Sequence, residues 1–364
     1  MAKRVGVDKW LFGVVLLLVL FGLVTVFSAS AVMAQSTLGS PYPYVKKQAI
    51  WAFFGLVAMV LLMRVDYRKY NNPRVVFPSV AVTMLMLIGV FAVSGSHNTH
   101  RWVRFGDLFT FQPSELAKPV LILFLAYFLQ TRIHQMDEWK GTILRAVAVP
   151  LAFTALILKE PDLGTGLVCM AVTALMLYLA GARTKFFAIG AALAAPVMYY
   201  MLFFVKFRHD RMLAFINPEA DPRGTGFHIL QSLIAVGTGG IRGLGLMEGR
   251  QKLFYLPEVQ TDFIFANICE ELGLIGALLV VGLFVALGYR GLRAAFLSTD
   301  PFARFLAFGI TTAILIQAFF NMSVVLALLP TKGIPLPFIS SGGTSLFITL
   351  ASMGVLLNIT REID

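Results

Sequence analysis

The chain has 364 residues, of which 58% are hydrophobic and only 13% are charged, and its formal net charge is +11. Soluble domains carry more charge than this, so the composition excludes a soluble enzyme and predicts an all-α polytopic membrane protein. The positive charge suits anionic membrane lipids and a phosphorylated substrate. Nucleic acid is not an expected partner, because the sequence holds no compact basic domain.

Apolar runs of about 20 residues, long enough to cross a bilayer, predict about ten transmembrane helices. Val32-Met-Ala34 resembles a signal-peptidase site, but the first apolar run is longer than the core of a leader, so we predict a retained span. No linker or repeat divides the chain, and residues 1–364 are expected to form a single transmembrane domain. The predicted spans are residues 10–32, 48–63, 75–94, 112–130, 143–159, 164–181, 185–205, 263–289, 303–328 and 338–358.

The loops that follow the even-numbered spans share a side with Lys3 and Arg4 and are rich in lysine and arginine. By the positive-inside rule this side is the cytoplasm, where both termini are expected. The opposite side carries the long loop 206–262 between the seventh and eighth spans. Within that loop, residues 226–236 have apolar side chains at helical spacing, which predicts an amphipathic helix at the outer interface.

Asp262 ends the long loop and begins an apolar span. An aspartate at this position favours a helix cap, and the same carboxylate is a positioned general base. Glu258, four residues upstream, either joins Asp262 or is solvated. Glu270 and Glu271 lie deeper in the span, where a glutamate faces either a cavity or a structural partner.

Three cations lie in or beside the other exported segments. Lys118 follows Glu115 by one helical turn, which predicts an ion pair inside the bundle, with a snorkelling lysine as the alternative. Lys332 lies in a proline-broken segment that is expected to line a cavity and to contact phosphate, together with Ser340, Ser341 and neighbouring glycine amides. Arg101 contacts either this substrate or the outer headgroups.

Glu160 and Asp162 flank Pro161 in a very short exported link. Asp162 is expected to cap the next helix, and Glu160 is a candidate substrate-binding residue, as are Glu115 and Glu258. Cys169 and Cys269 both lie within apolar spans, so they are expected to be core residues, not a disulfide or metal pair. The five histidines show no metal-ligand spacing, and the sequence assigns no metal ligands.

Transport and lipid-linked transfer both suit charges gathered at the outer face. A transporter is expected to hold its charges at the bilayer midplane and to show a repeat. Charges at the span ends instead favour sugar transfer, which needs one carboxylate to accept a proton and cations to stabilise a departing diphosphate.

Five motifs together resemble the SEDS family (shape, elongation, division and sporulation), and they follow the family's order over nearly the whole chain. The segment Gln251-Lys-Leu-Phe-Tyr-Leu-Pro-Glu258, with Arg101-Trp102 before the first motif, resembles the division branch, FtsW, more than the elongation branch, RodA. The motifs are Gln112-Pro-Ser-Glu-Leu-Ala-Lys118, Lys159-Glu-Pro-Asp-Leu-Gly-Thr165, Leu256-Pro-Glu-Val-Gln-Thr-Asp-Phe-Ile-Phe265, Glu270-Glu-Leu-Gly273 and Pro330-Thr-Lys-Gly-Ile-Pro-Leu-Pro-Phe-Ile-Ser-Ser-Gly-Gly-Thr-Ser345.

The resemblance implies a bacterial peptidoglycan glycosyltransferase that polymerises lipid II at the outer face of the cytoplasmic membrane. It also implies a class B penicillin-binding protein as partner, further division or elongation proteins, and activity supported by a divalent cation such as Mg²⁺ or Mn²⁺. The family's essential aspartate falls on Asp262, and its conserved cations fall on Lys118 and Lys332. Both lysines are expected to stabilise the departing diphosphate, together with Arg101 or a divalent ion. A lipid II flippase and a scaffold that recruits the transpeptidase are the rival functions.

The chain departs from the family pattern at several positions. Ser341 replaces the usual tyrosine before two glycines, Ala327 replaces a common glycine, and Phe254 replaces a glutamate found in some division-type members. Val259-Gln260 replaces a frequent Ala-His pair. These departures leave the expected role of Asp262 intact, but they put in doubt substrate contacts made by the missing side chains.

Overall fold

The computed structural model describes residues 6–93, 101–105 and 109–362, so His97 and His100 lie outside it. The described chain is all-α apart from one antiparallel hairpin of β1 and β2. Short 3-10 turns lie at Tyr67–Tyr70, Ile133–Gln135 and Pro218–Ala220, and a π turn at Trp139–Ile143. The main elements are α1 (Lys9–Leu38), α2 (Pro43–Arg64), α3 (Pro73–Val93), β1 (Val103–Phe105), β2 (Phe109–Phe111), α4 (Pro113–Thr131), α5 (Leu144–Lys159), α6 (Leu163–Leu179), α7 (Thr184–Phe203), α8 (Lys206–Ile216), α9 (Phe227–Gly239), α10 (Ile264–Leu297), α11 (Pro301–Val325) and α12 (Gly343–Thr360).

The predicted polytopic class is confirmed. Within the described residues, nine helices are long and apolar enough to cross a membrane, and the remaining predicted span is the apolar helix α6 with 17 residues. Start signals in the sequence explain several boundaries. Asp8 and Asp300 cap α1 and α11 through their side chains, and Pro43 and Pro113 open α2 and α4.

Three predicted boundaries in the C-terminal part of the chain were wrong. The eighth span, α10, continues to Leu297 instead of ending at about residue 289. The ninth span ends at Val325 instead of residue 328, because the chain turns at Ala327 with a φ of 53°. The tenth begins at Gly343 instead of residue 338, because Phe338 has a φ of 66° and closes a turn before the helix. Between them, the proline-containing segment 329–342 has no helix, as a run of prolines requires.

Helix α10 is broken at Gly273, where φ is 64°. The segment 240–245, which follows the amphipathic helix α9, fills this break. Two of its N–H groups donate to carbonyls of the segment 270–275 at 3.0 Å, and two N–H groups donate back at 2.9 and 3.3 Å. These bonds satisfy the backbone groups that a broken helix would otherwise leave unpaired in an apolar setting.

The two glutamates beside this break have structural partners. Glu271 accepts hydrogen bonds from the Ser28 hydroxyl at 2.7 and 2.6 Å and from the Lys252 ammonium at 2.6 Å. Glu270 accepts the backbone N–H of Arg250 at 2.8 Å. The loop that leads to Asp262 is therefore anchored to α1 and α10 two helical turns below the start of α10.

Helices pack so that α12 lies along α2, α11 lies between α10 and α4, and α1 contacts α10 and α2. The buried core follows these contacts, and it includes Cys169 and Cys269 as free thiols, as expected. In contrast, α7 has only 6% of its most apolar window buried, so most of its surface faces outward. Asp262 directly precedes the core helix α10, and the proline-containing segment joins the core helices α11 and α12.

Candidate active site

Asp262 lies directly before α10 and is packed against the proline-containing segment. Its carbonyl oxygen accepts a hydrogen bond from the Asn321 side chain at 2.8 Å. A Cβ added at Gly333 would lie 3.0 Å from its Oδ2, so the carboxyl group faces a backbone position where a side chain would be crowded. The expected helix cap was wrong: Phe263 is the N-cap residue, and within the described chain no side chain caps this end.

The environment of Asp262 makes its carboxyl group a much weaker acid than usual. Burial, followed by the Glu258 carboxylate, raises its pKa to about 7, against the opposing guanidinium of Arg211. Asp162 adds a smaller rise and Arg101 a smaller decrease. Desolvation therefore outweighs the nearby cations, and this carboxyl group exchanges its proton near neutral pH, as a general base requires.

Arg211 and Arg101 are the cations that act on Asp262, and Arg208 and Lys332 extend the same group of positive charges. Arg101 donates to the carbonyl oxygens of Glu160, at 2.7 Å, and Pro161. Arg211 donates to the Thr331 carbonyl at 3.3 Å, one residue before Lys332, and its guanidinium lies over the Phe207 ring, 4.1 Å from its centre. The first exported loop, α8 and the proline-containing segment thus each contribute positive charge.

These cations lie close enough to oppose one another's charge. Burial and then Arg208 lower the pKa of Lys332, and burial and then Arg101 lower the pKa of Arg208. A group of positive charges that oppose one another in this way is expected to favour an anion such as a diphosphate. Sequence reasoning missed Arg208 and Arg211 as site residues, although their spacing of three on one helix places them on a common face.

The acids of the short exported link do not neutralise this group. Asp162 caps α6, as predicted: it accepts the Thr165 N–H at 3.0 Å and the Thr165 hydroxyl at 2.9 Å. Glu160 is fully buried, and neither of its carboxyl oxygens has a hydrogen-bond partner within the described residues. Burial and Asp162 raise the pKa of Glu160 to about 8, despite Arg101, so it is mostly protonated at neutral pH. Glu258 is exposed and accepts the Thr261 hydroxyl at 3.0 Å.

Lys118 and Glu115 form the expected ion pair, with 2.8 Å between Nζ and Oε2, and both are buried in α4. The Lys118 ammonium also donates to the Gln317 side chain at 2.6 Å. Unlike Arg101 and Arg211, Lys118 is not among the charges that shift the pKa of Asp262. A contact between Lys118 and a substrate phosphate stays a prediction.

Ser340 and Ser341 hold the backbone just before Asp262. The Ser340 hydroxyl donates to the Thr261 carbonyl at 2.6 Å and accepts the Leu336 N–H at 2.8 Å. The N–H of Ser341 donates to the Gln260 carbonyl at 2.8 Å. Their expected contact with phosphate also stays a prediction.

No group of three or more histidine, cysteine, aspartate or glutamate side chains forms a possible metal site within the part of the chain that the structure describes. The positively charged side chains near Asp262 would also repel a metal ion bound beside it. The described residues therefore do not fit a divalent cation held by the protein alone.

Comparisons with known proteins agree over the whole chain. The family model FtsW/RodA/SpoVE, described as "Cell cycle protein", matches residues 8–364. The probable peptidoglycan glycosyltransferase FtsW of Geobacter metallireducens is 43% identical over 94% of this chain and 91% of its own. Stage V sporulation protein E of Bacillus subtilis is 39% identical over 99% and 98%, respectively.

Two solved structures share the fold. A chain described under "Structural coordination of polymerization and crosslinking by a peptidoglycan synthase complex" superposes with a TM-score of 0.78 at 25% identity, over 98% of both chains. The rod shape determining protein RodA of Thermus thermophilus gives a TM-score of 0.71 at 24% identity, over 98% of this chain and 97% of its own. The RodA likeness supports the fold alone.

Proposed function

Since the chain belongs to the SEDS (FtsW/RodA/SpoVE) family, we propose that Asp262 is the general base with which it polymerises lipid II. The chain is an FtsW-like peptidoglycan glycosyltransferase, and the names of its relatives favour the division type over the elongation type. The observation that carries the assignment of the base is a carboxyl group with a pKa of about 7 that faces the guanidinium groups of Arg211 and Arg101.

In the proposed reaction Asp262 takes the proton from the 4-hydroxyl of the acceptor sugar. The hydroxyl oxygen attacks the anomeric carbon of the donor muramyl unit while the bond to undecaprenyl diphosphate breaks. The configuration inverts, and a β-1,4 bond forms. A base with a pKa near the working pH is favourable, because it is largely ionised before the reaction and still holds the proton strongly afterwards.

The cations act on the leaving group. Negative charge grows on the diphosphate as the glycosidic bond breaks, and fixed cations in a desolvated site stabilise that growth. Arg211 is suited to this role because its charge acts directly on Asp262. Arg208 and Lys332 belong to the same group of cations, since Arg208 lowers the pKa of Lys332 and Arg101 lowers the pKa of both Arg208 and Arg211. Arg101 is held by carbonyl oxygens at the edge of the same group.

The family context extends the proposal to location and partners. We place Asp262 at the periplasmic face and both termini in the cytoplasm, in keeping with the distribution of lysine and arginine. A class B penicillin-binding protein is the proposed partner that crosslinks the new glycan. The fold likeness to a chain of a peptidoglycan synthase complex supports this pairing.

The test is a polymerisation assay of the purified protein on lipid II in proteoliposomes, alone and with a class B penicillin-binding protein. Asp262→Asn should keep the fold and reduce glycan product to about background, since the amide cannot accept the proton. Glu219→Gln, which changes an exposed acid in the same exported loop, is the matched control.

The outcomes separate the rival functions. Glycan chains from the wild type and none from Asp262→Asn support the proposed reaction. Translocated lipid II without chains would point to a flippase, and neither product in the presence of the partner would leave only a scaffold. Near-normal polymerisation by Asp262→Asn would reject Asp262 as the base.

A further inference from the structure

The proline-containing segment has unusual backbone needs. Pro330, Pro335 and Pro337 each lack an N–H group, and no regular secondary structure pairs the carbonyl groups of residues 330–336. Buried carbonyl groups in such a stretch must find donors elsewhere, because leaving them unpaired costs free energy. Arg211 donates to the Thr331 carbonyl, and N–H groups of the segment itself pair those of Lys332 and Leu336. The donors to Ile334 and Pro335 come from one face of α11.

Asn321 and Gln317 supply these donors. Asn321 is 1% exposed, and its amide nitrogen donates to two carbonyl oxygens at 2.8 Å each, those of Asp262 and Ile334. Gln317, one turn earlier on the same face, donates to the carbonyl of Pro335 at 2.9 Å. One amide group thus joins the backbone of the base directly to the segment that carries Lys332.

Gln317 also connects α11 to α4. The side-chain oxygen of Gln317 accepts the Lys118 ammonium at 2.6 Å, and Lys118 is paired with Glu115 at 2.8 Å. All three side chains are buried. Lys118 therefore orients the amide of Gln317 so that its nitrogen, not its oxygen, faces Pro335.

We propose that Asn321 and Gln317 are positioning residues for the transfer reaction, and that Lys118 acts through Gln317. Asn321 fixes the distance between Asp262 and the segment 332–335, while Gln317 and the Glu115–Lys118 pair fix that segment against α11. This inference rests on the proposed role of Asp262. Asn321 and Gln317 would then affect the rate without contacting the reacting atoms. Lys118, for which the sequence predicts a phosphate contact, would act indirectly as well.

Geometry gives the size of the expected effect. A displacement of about 1 Å at a reacting group costs about 100-fold in rate. Asn321→Leu removes the shared donor but fills a similar volume. It also removes the Asn321 side-chain oxygen, which has no partner among the described residues. The variant is therefore expected to fold, with kcat reduced about 100-fold and the KM for lipid II within about threefold of wild type.

Asn358→Leu is the matched control. Asn358 is also a buried asparagine that joins two backbone groups: it accepts the Tyr67 N–H at 2.9 Å and donates to the Met63 carbonyl at 2.8 Å. It lies near the far end of α12 from Gly343, away from Asp262. Its leucine variant should lower thermal stability while kcat per folded molecule stays within about threefold.

A pH profile gives a second readout. Without the hydrogen bond from Asn321 to the Asp262 carbonyl, the Asp262 carboxyl group is expected to become more solvated, which lowers its pKa. The acid-side midpoint of kcat/KM should therefore move down by about one pH unit. The charges that face Asp262 are those of Glu258, Arg211, Asp162 and Arg101, and none of them is changed. An Asn321→Leu variant whose kcat and midpoint both match those of Asn358→Leu would overturn the positioning role.

A double-mutant cycle tests Lys118. One arm replaces the ion pair (Glu115→Gln with Lys118→Met), the other is Gln317→Met, and both are combined. If Lys118 acts through Gln317, the combined variant should lose about as much kcat as Gln317→Met alone. Losses in kcat that multiply would instead place Lys118 directly on the substrate.

Asp262→Asn, assayed in parallel, separates failure of the proposed function from failure of this inference. If Asp262→Asn stays active, the assignment of the base is wrong. An inactive Asp262→Asn beside a fully active Asn321→Leu rejects only this inference.

Discussion

The raised pKa of Asp262 predicts that polymerisation depends steeply on pH in the neutral range. With a pKa of about 7, the ionised fraction is about 0.1 at pH 6, 0.5 at pH 7 and 0.9 at pH 8. Activity should therefore rise about tenfold from pH 6 to pH 8 and fall as the pH drops through 7. An aspartate with an ordinary pKa of about 3.9 would give a flat profile over this range.

Glu258 supplies a directed perturbation of that profile. Its carboxylate is the largest contribution to the raised pKa after burial. Glu258→Gln should therefore move the acid-side midpoint to lower pH and make the variant relatively more active than wild type at pH 6. Glu219→Gln, which removes an exposed acid that does not act on Asp262, should leave the midpoint in place.

The assay is the initial rate of glycan formation from lipid II between pH 5.5 and 9, in detergent at constant ionic strength. Glu160 titrates near pH 8, so Glu160→Gln is included to show that the acid-side midpoint belongs to another group. A flat wild-type profile below pH 8 would refute the reasoning. So would a midpoint that moves with Glu160 and not with Glu258.

Two further predictions concern stability. Glu271→Gln leaves the buried Lys252 ammonium without its charged partner, so the free energy of unfolding should fall by about 3 kcal/mol, measured as a lower thermal midpoint. The paired change Lys252→Met with Glu271→Leu should recover most of this loss. Equal losses in the two variants would contradict the ion-pair reasoning. Ala327 has a φ of 53°, a conformation that favours glycine, so Ala327→Gly should raise stability by up to about 1 kcal/mol in the same measurement, and a lower midpoint would show that the turn is not strained.

Much of the fold was predictable because hydropathy alone decides which segments enter a membrane. Helix starts at Pro43, Pro113 and Pro301 also carry local signals that act regardless of tertiary structure. The boundaries at residues 326–342 were less predictable. Their turns depend on Ala327 and Phe338 adopting left-handed backbone conformations, which side-chain identity would argue against.

The candidate active site likewise has parts that the sequence could predict and parts that it could not. Asp262 was accessible to sequence reasoning because a lone acid at the start of an apolar span needs an explanation. Its protonation was not, since whether burial or nearby guanidinium groups prevail depends on packing. Arg208 and Arg211 were missed because arginines in a polar loop ordinarily read as solvated. Asn321 was missed because one amide within a span gives no sign of which carbonyl groups it will meet.

Substrate binding should reinforce the chemistry of Asp262. Arg211 and Arg101 hold its pKa below the value that burial and Glu258 alone would set. A diphosphate placed against these guanidinium groups cancels part of their field, so the pKa of Asp262 should rise further when the donor binds. The acid-side midpoint of kcat, which reports the bound enzyme, is then expected at higher pH than that of kcat/KM, which reports the free enzyme. The order of the two midpoints therefore tests whether the cations and the base act on one substrate. Cations that bound only lipid headgroups away from the reacting sugar would leave the two midpoints equal.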